Sequence, residues 1–121
     1  MSPANAAYSA EELTHQLVDS KAYALFTCIP LLPTALKAAA KAGLPKNRIY
    51  LIDLPAEILG GAKTPAGFKT LEQLFNAAKS LPKLDPLKWG PGEGARRTAF
   101  LCYSSGTSGL PVSKTQIFRV M

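Results

Sequence analysis

The stretch AYALFTC, residues 22–28, decides the fold class of this chain. Its residues form an apolar run of strand length, and Pro30 ends the run two residues later. A strand that is apolar on both faces is typical of a parallel sheet, because helices cover both sides of such a sheet. We therefore expect residues 22–28 to form a strand inside an α/β domain.

The segments on either side of this strand have helical patterns. Residues 8–20 begin around Ser9, and Glu12 follows three residues later, which is the pattern of a capping box at a helix start. Residues 32–42 have a narrow apolar face and are followed by Gly43, a residue that commonly ends helices. These patterns predict one helix before the strand and one after it.

The alternation of helices and strands continues along the chain. Residues 48–53, with the sequence RIYLID, and residues 98–103 read as two more strands. Thr70 and Gln73 have the spacing of a second capping box, which predicts a helix over residues 71–79. The order α-β-α-β-α-β predicts an α/β fold with three layers, in which flanking helices pack on a mostly parallel sheet of these three strands.

Composition excludes several classes of protein. The chain has 121 residues, of which 47% are hydrophobic and 18% are charged, as in a folded domain. No apolar run approaches the roughly 20 residues of a membrane helix, and the N-terminus lacks the pattern of a signal peptide. We expect no membrane span and an intracellular location, with the cytoplasm and the peroxisome both left open.

Neither the net charge nor the cysteines indicate a nucleic-acid or metal site. The net charge is +6, but the lysines are scattered and only Arg96 and Arg97 are adjacent basic residues. We therefore expect no nucleic-acid partner. Cys28 and Cys102 lie far apart without CxxC spacing, which favours buried free thiols over metal ligands or a disulfide.

The segment YSSGTSGLPVSK, residues 103–114, follows the third predicted strand and is dense in hydroxyls and glycines. Ligands of open α/β sheets bind beyond the carboxyl ends of the strands, and backbone N–H groups in glycine-rich turns bind anions. The segment is not a Walker A loop, because the chain contains no Gly-Lys pair. Composition alone leaves two interpretations open, a phosphate-binding loop and a plain turn.

A family resemblance distinguishes these two interpretations. Residues 103–111, YSSGTSGLP, closely resemble the phosphate-binding signature of adenylate-forming (AMP-binding) enzymes, which include acyl-CoA synthetases, 4-coumarate–CoA ligases and luciferases. Residues 2–28 resemble a second block of that family, SPANPxY followed by a helix of the EELxxQLxDS type and a strand. The resemblance covers residues 2–111, and the chain looks most like an N-terminal-domain fragment of a fungal 4-coumarate–CoA-ligase-like acyl-CoA synthetase.

The resemblance implies a fold, an activity and a site. The fold is a partial N-terminal subdomain of the acyl-CoA synthetase-like fold. The activity is the ATP-dependent activation of a carboxylic acid as an acyl-adenylate, with Mg²⁺, followed by transfer to the thiol of CoA. The implied site binds the phosphates of ATP and includes no catalytic residue and no metal ligand in this chain. Its residues are Ser104, Ser105, Gly106, Thr107, Ser108, Gly109 and Lys114.

The sequence departs from the family pattern after Pro111. The family has a lysine at the position of Val112, and we keep Lys114 as a phosphate ligand because a lysine side chain can reach back. We expect residues 1–121 to be a partial adenylation domain that ends just after the phosphate-binding loop. Residues 112–121 depart from the family pattern. We expect the chain alone to have no activity. A non-enzymatic remnant, or an α/β fragment that binds a partner, is the alternative. The sequence does not determine which carboxylic acid is the substrate, or whether the acyl group passes to CoA or to the thiol of a carrier protein.

Overall fold

The computed structural model describes residues 1–104 and 112–116, with side chains for residues 1–103. Short 3₁₀ turns precede the second helix and the second strand. The elements in chain order are helix α1 (Ala10–Asp19), strand β1 (Leu25–Thr27), helix α2 (Leu32–Ala42), strand β2 (Ile49–Leu51), the one-turn helix α3 (Ala56–Leu59), strand β3 (Lys69–Thr70), helix α4 (Leu71–Ala78), the one-turn helix α5 (Glu93–Arg96), strand β4 (Phe100–Ser104) and strand β5 (Val112–Gln116).

Three of these strands form a parallel sheet in the order β1-β2-β3. Phe26 of β1 lies opposite Tyr50 of β2, and Tyr50 lies opposite Lys69 of β3. The helices α1 and α2 flank β1 in the chain, and α2 connects β1 to β2 as the crossover that a parallel pair requires. The predicted α/β class, with a mostly parallel sheet and flanking helices, is confirmed.

The prediction that residues 98–103 supply the third parallel strand is wrong. The third strand of the sheet is the two-residue β3, whereas β4 pairs antiparallel with β5 in a separate two-stranded sheet. An apolar run predicts that a segment is a strand but does not predict its partner. The exposed Lys69 and the polar Thr70 form no apolar run, so the pattern gave no sign of β3.

The main core lies between α2 and one face of the sheet. Ile49 and Leu51 alternate along β2, are 2% and 1% exposed, and pack in one cluster with Leu32 and Ala39 of α2. Tyr50, between them, faces the other side of the sheet because side chains alternate along a strand. The burial of Ile49 and Leu51 alone stabilises the fold by about 1.5–3 kcal/mol each.

Helix α1 packs on the side of α2 that carries small residues. Ala35 and Ala38 of α2 are fully buried, and side chains of this size allow two helices to approach closely. The Thr14 hydroxyl of α1 lies 3.4 Å from the Ala38 carbonyl oxygen, which shows how close the two backbones are. An exposed ion pair between Lys41 and Glu11, at 2.5 Å, links the helices at the surface and contributes little free energy.

The helix boundaries follow the sequence signals closely. The Ser9 hydroxyl accepts from the Glu12 N–H at 3.2 Å, and the Glu12 carboxylate accepts from the Ser9 N–H at 2.8 Å. Thr70 and Gln73 make the same reciprocal pair at the start of α4. Gly43 ends α2 with a φ of 72°, a conformation that glycine adopts without steric cost. Both predicted capping boxes are confirmed.

We expect Leu51→Ala to lower the free energy of unfolding by about 2–5 kcal/mol, because the substitution leaves a cavity between β2 and α2. Urea-induced unfolding followed by circular dichroism measures this change. Val18→Ala is the control, since Val18 is 58% exposed on α1, and it should change the free energy by less than about 0.5 kcal/mol. Equal effects of the two substitutions would contradict the placement of the core.

Candidate phosphate-binding site

The predicted site falls on the hairpin formed by β4 and β5. Ser104 is the last residue of β4 and Lys114 is the middle residue of β5. The side chains of both residues lie outside the described part of the chain. The remaining predicted ligands also lie outside it, namely Ser105, Gly106, Thr107, Ser108 and Gly109.

The backbone register of the hairpin places the ends of this segment. Ser104 is paired with Val112, and Cys102 is paired with Lys114. Residues 105–111 therefore connect two strands that run side by side in opposite directions. The Cα of Lys114 lies two residues beyond that of Val112, or about 6.8 Å further along the strand. The idea that Lys114 reaches back to the position of the family lysine stays a prediction.

Strand β4 is held to the rest of the protein by the first two residues of the chain. The Met1 amino group donates to the Ala99 carbonyl at 2.9 Å, and the Leu101 N–H donates to the Met1 carbonyl at 2.9 Å. These two bonds have the pattern of a parallel strand pair. The Ser2 hydroxyl adds a bond to the Leu101 carbonyl at 3.0 Å.

A buried amide on α1 holds this N-terminal segment in place. Gln16 is 2% exposed, and its Nε2 donates to the Ser2 hydroxyl at 2.7 Å and to the Pro3 carbonyl at 3.0 Å. The Pro3 carbonyl can only accept, so the orientation of the Gln16 amide is fixed. Helix α1 is thus connected through Ser2 to Leu101, the second residue of β4. Sequence reasoning missed this role, because Gln16 was noted only as part of the EELxxQLxDS pattern.

A second link joins α1 to the end of β4. The Tyr103 hydroxyl donates to Oδ2 of Asp19, the last residue of α1, at 2.5 Å. Partial burial of the ring, together with the hydrogen bond to Asp19 and its negative charge, raises the pKa of Tyr103 to about 12. The two blocks that resemble the family contain one of these residues each. No sequence signal showed that the residues touch.

A cavity of about 740 Å³ lies beside these links. The N-terminal segment, the end of α1, β1 and Leu101 of β4 line it, mostly with apolar groups. Gln16 Oε1 and Ser20 Oγ have no hydrogen-bond partner among the described residues, and both atoms are closed off from solvent.

The described residues supply no preformed metal centre. Within residues 1–103 no three His, Cys, Asp or Glu side chains lie close enough to hold a metal ion. Cys28 and Cys102 are free thiols, and both are only partly buried. Among the helices that the structure describes, none is long and apolar enough to cross a membrane.

Comparison with known proteins gives the family. The sequence model of the AMP-binding enzyme family matches residues 1–111, so the chain belongs to the family of AMP-binding enzymes. The acyl-CoA ligase cm3C of Cordyceps militaris is 38% identical over 109 residues, which cover 88% of this chain and 17% of that protein. The acyl-CoA ligase AFT1-1 of Alternaria alternata is 40% identical over 109 residues, 90% of this chain and 18% of that protein.

Solved structures of adenylate-forming type have the same fold. A red-emitting luciferase from Phrixothrix hirtus superposes with a TM-score of 0.65 at 26% identity, over 95% of this chain and 26% of that one. The luciferase-like enzyme of the mealworm Zophobas morio, at 21% identity and a TM-score of 0.60, supports the fold alone. The resemblance to adenylate-forming enzymes is confirmed, and the chain spans less than a fifth of the length of these two ligases.

We expect the free energy of unfolding to fall more steeply between pH 10 and pH 12 in the wild type than in Tyr103→Phe. The pKa of Tyr103 is raised to about 12 in the folded protein, above its ordinary value of 10.0. The neutral hydroxyl therefore stabilises the fold below pH 10, and this contribution is lost as the pH rises through 12.

Urea unfolding at several pH values measures these slopes. Tyr23→Phe is the matched control, because it removes a hydroxyl from a side chain that is 71% exposed. If the slope of Tyr103→Phe equals that of the wild type, the hydrogen bond to Asp19 does not form in solution.

Proposed function

We propose that this chain is the phosphate-binding part of an ATP-dependent acyl- or aryl-CoA ligase that works inside the cell. One observation supports the proposal above the others. The signature YSSGTSGLP lies on a chain that belongs to the AMP-binding family, and it connects the two strands of a hairpin. Turns of this composition offer backbone N–H groups and hydroxyls to an anion.

The proposed reaction has two steps. A carboxylate oxygen of the acid bonds to the α-phosphorus of ATP, and the bond from that phosphorus to the bridging oxygen of pyrophosphate breaks. The thiol sulfur of CoA then bonds to the acyl carbon, AMP leaves, and the thiol proton passes to solvent. Residues 104–109 hold the β- and γ-phosphates in the first step, when negative charge grows on the leaving pyrophosphate. Donors that are fixed before the reaction lower such a barrier most effectively.

Magnesium fits this proposal as a companion of the nucleotide. Mg²⁺ is commonly held by phosphate oxygens and waters together with one or two carboxylates. When bound, the ion would neutralise part of the phosphate charge beside the hydroxyls of Ser104–Gly109.

The chain alone is proposed to bind phosphates without catalysing adenylation. Residues 104–109 and Lys114 contact phosphates in this proposal, and no residue of this chain is assigned to the adenine, the ribose or the acid. Correct placement of the reactants accounts for about 7–11 kcal/mol of a barrier, which phosphate binding by itself does not supply. Val112 also places an uncharged side chain where the family has a lysine.

A second candidate function, the binding of a protein partner, is favoured by one face of the sheet. Phe26 is 49% exposed although it lies in the middle of β1, and its ring is 5.2 Å from that of Tyr50. Ile52, just after β2, is 41% exposed. Exposed apolar groups on one sheet face are typical of interaction surfaces. A protein partner that covers Phe26 without affecting nucleotide binding would distinguish this function from the first one.

We expect the purified chain to bind ATP or pyrophosphate weakly and only with Mg²⁺, and to show no carboxylate-dependent exchange of labelled pyrophosphate into ATP. Equilibrium dialysis measures the binding, and a panel of aryl and fatty acids tests the exchange. Gly106→Ala combined with Thr107→Ala should abolish binding, because it removes a hydroxyl and adds a side chain in a segment proposed to approach the phosphates closely.

The matched control is Gly90→Ala combined with Thr64→Ala. Thr64 is exposed, and a Cβ at Gly90 meets no atom within 4 Å. The control chain should bind like the wild type. Binding that survives the Gly106 and Thr107 substitutions would refute phosphate binding at this segment, and exchange above background would refute the expected inactivity of the chain.

A further inference from the structure

The carboxylate of Asp19 occupies an unfavourable position on its helix. Asp19 is the last residue of α1, and the last turn of that helix contains no basic side chain. The C-terminal end of a helix carries partial negative charge, so a carboxylate there is destabilising by a few tenths of a kcal/mol or more. Helix stability alone therefore does not explain an aspartate at this position.

The contact that Asp19 makes is to the residue immediately before the predicted phosphate ligands. Its Oδ2 accepts from the Tyr103 hydroxyl at 2.5 Å, across 84 residues of sequence. Tyr103 precedes Ser104, the first residue of the implied site. The hydrogen bonds from Met1 and Ser2 go to Ala99 and Leu101, whereas the Tyr103 contact lies one residue before Ser104, the end of β4.

We propose that Asp19 is a positioning residue for phosphate binding, which holds the end of β4 against α1 by accepting a hydrogen bond from Tyr103. This inference rests on the proposed function above, since it concerns the same phosphate-binding residues. Asp19 touches no phosphate in this arrangement. It acts through Tyr103, whose backbone continues directly into Ser104.

The negative charge of Asp19 makes it possible to distinguish a positioning role from a simple electrostatic effect. Asp19 carries a negative charge near a site that is proposed to bind a polyanion. Removal of that charge alone would strengthen the binding of pyrophosphate, because it removes a repulsion. Loss of positioning would weaken the binding. The two explanations therefore predict changes of opposite sign in the dissociation constant.

The first test is calorimetric titration of magnesium pyrophosphate into the full 121-residue chain. We expect Asp19→Ala and Tyr103→Phe each to weaken binding by about tenfold or more, as the loss of one charge-assisted hydrogen bond would. The double variant should bind no more weakly than either single variant, because both substitutions break the same contact. Asp19→Asn keeps an acceptor oxygen and should fall between the wild type and Asp19→Ala.

Glu11→Ala is the matched control for charge. Glu11 lies on the same helix, its carboxylate pairs with Lys41, and none of its described contacts reaches β4. It should leave the dissociation constant within about twofold of the wild type. Unchanged or tighter binding in Asp19→Ala would overturn the proposal.

Hydrogen exchange of the nucleotide-free chain separates failure of this inference from failure of the proposed function. We expect the amides of residues 100–104 and 112–116 to exchange faster in Asp19→Ala, and to be unaffected by Glu11→Ala. Unchanged exchange in Asp19→Ala overturns the positioning role, whatever pyrophosphate does. Faster exchange combined with a wild-type chain that binds no pyrophosphate would instead overturn the proposed function, and Asp19 would then only stabilise the hairpin.

Discussion

The attachment of strand β4 to helix α1 is the constraint on which the candidate site depends. The strand does not belong to the parallel sheet, so the main core does not fix its position. Hydrogen bonds fix it instead. Gln16 holds Ser2, Ser2 holds Leu101, and Asp19 holds Tyr103. Gln16 and Asp19, which both lie in the C-terminal half of α1, thus place two points of one strand.

The structure divides stability and positioning between two kinds of interaction. Each large side chain buried in the apolar cluster of Ile49, Leu51 and α2 contributes more free energy than a typical hydrogen bond. The hydrogen bonds from Gln16 and Asp19 add less energy but have fixed directions. A site for phosphates needs fixed directions, since donors stabilise developing charge only when they already point at it.

The sequence predicted helices and strands well where a local signal exists. The capping box of Ser9 and Glu12 predicted the start of α1, and Gly43 predicted the end of α2, since these signals act within a few residues. Strand partners depend on distant segments, so β3 was missed and β4 was assigned to the wrong sheet. The site segment was recognised by resemblance, whereas the contact of Asp19 with Tyr103 joins residues 84 positions apart and left no local trace.

The central claim is that the segment after β4 binds phosphates. Amide chemical shifts of the ¹⁵N-labelled chain, recorded during a titration with magnesium ATP, test it most directly. The account predicts saturable shifts confined to residues 103–109 and their neighbours in β5, which disappear when EDTA removes the magnesium. Saturable shifts centred instead on the apolar cavity beside β1, or no shifts at all at millimolar ATP, would contradict it.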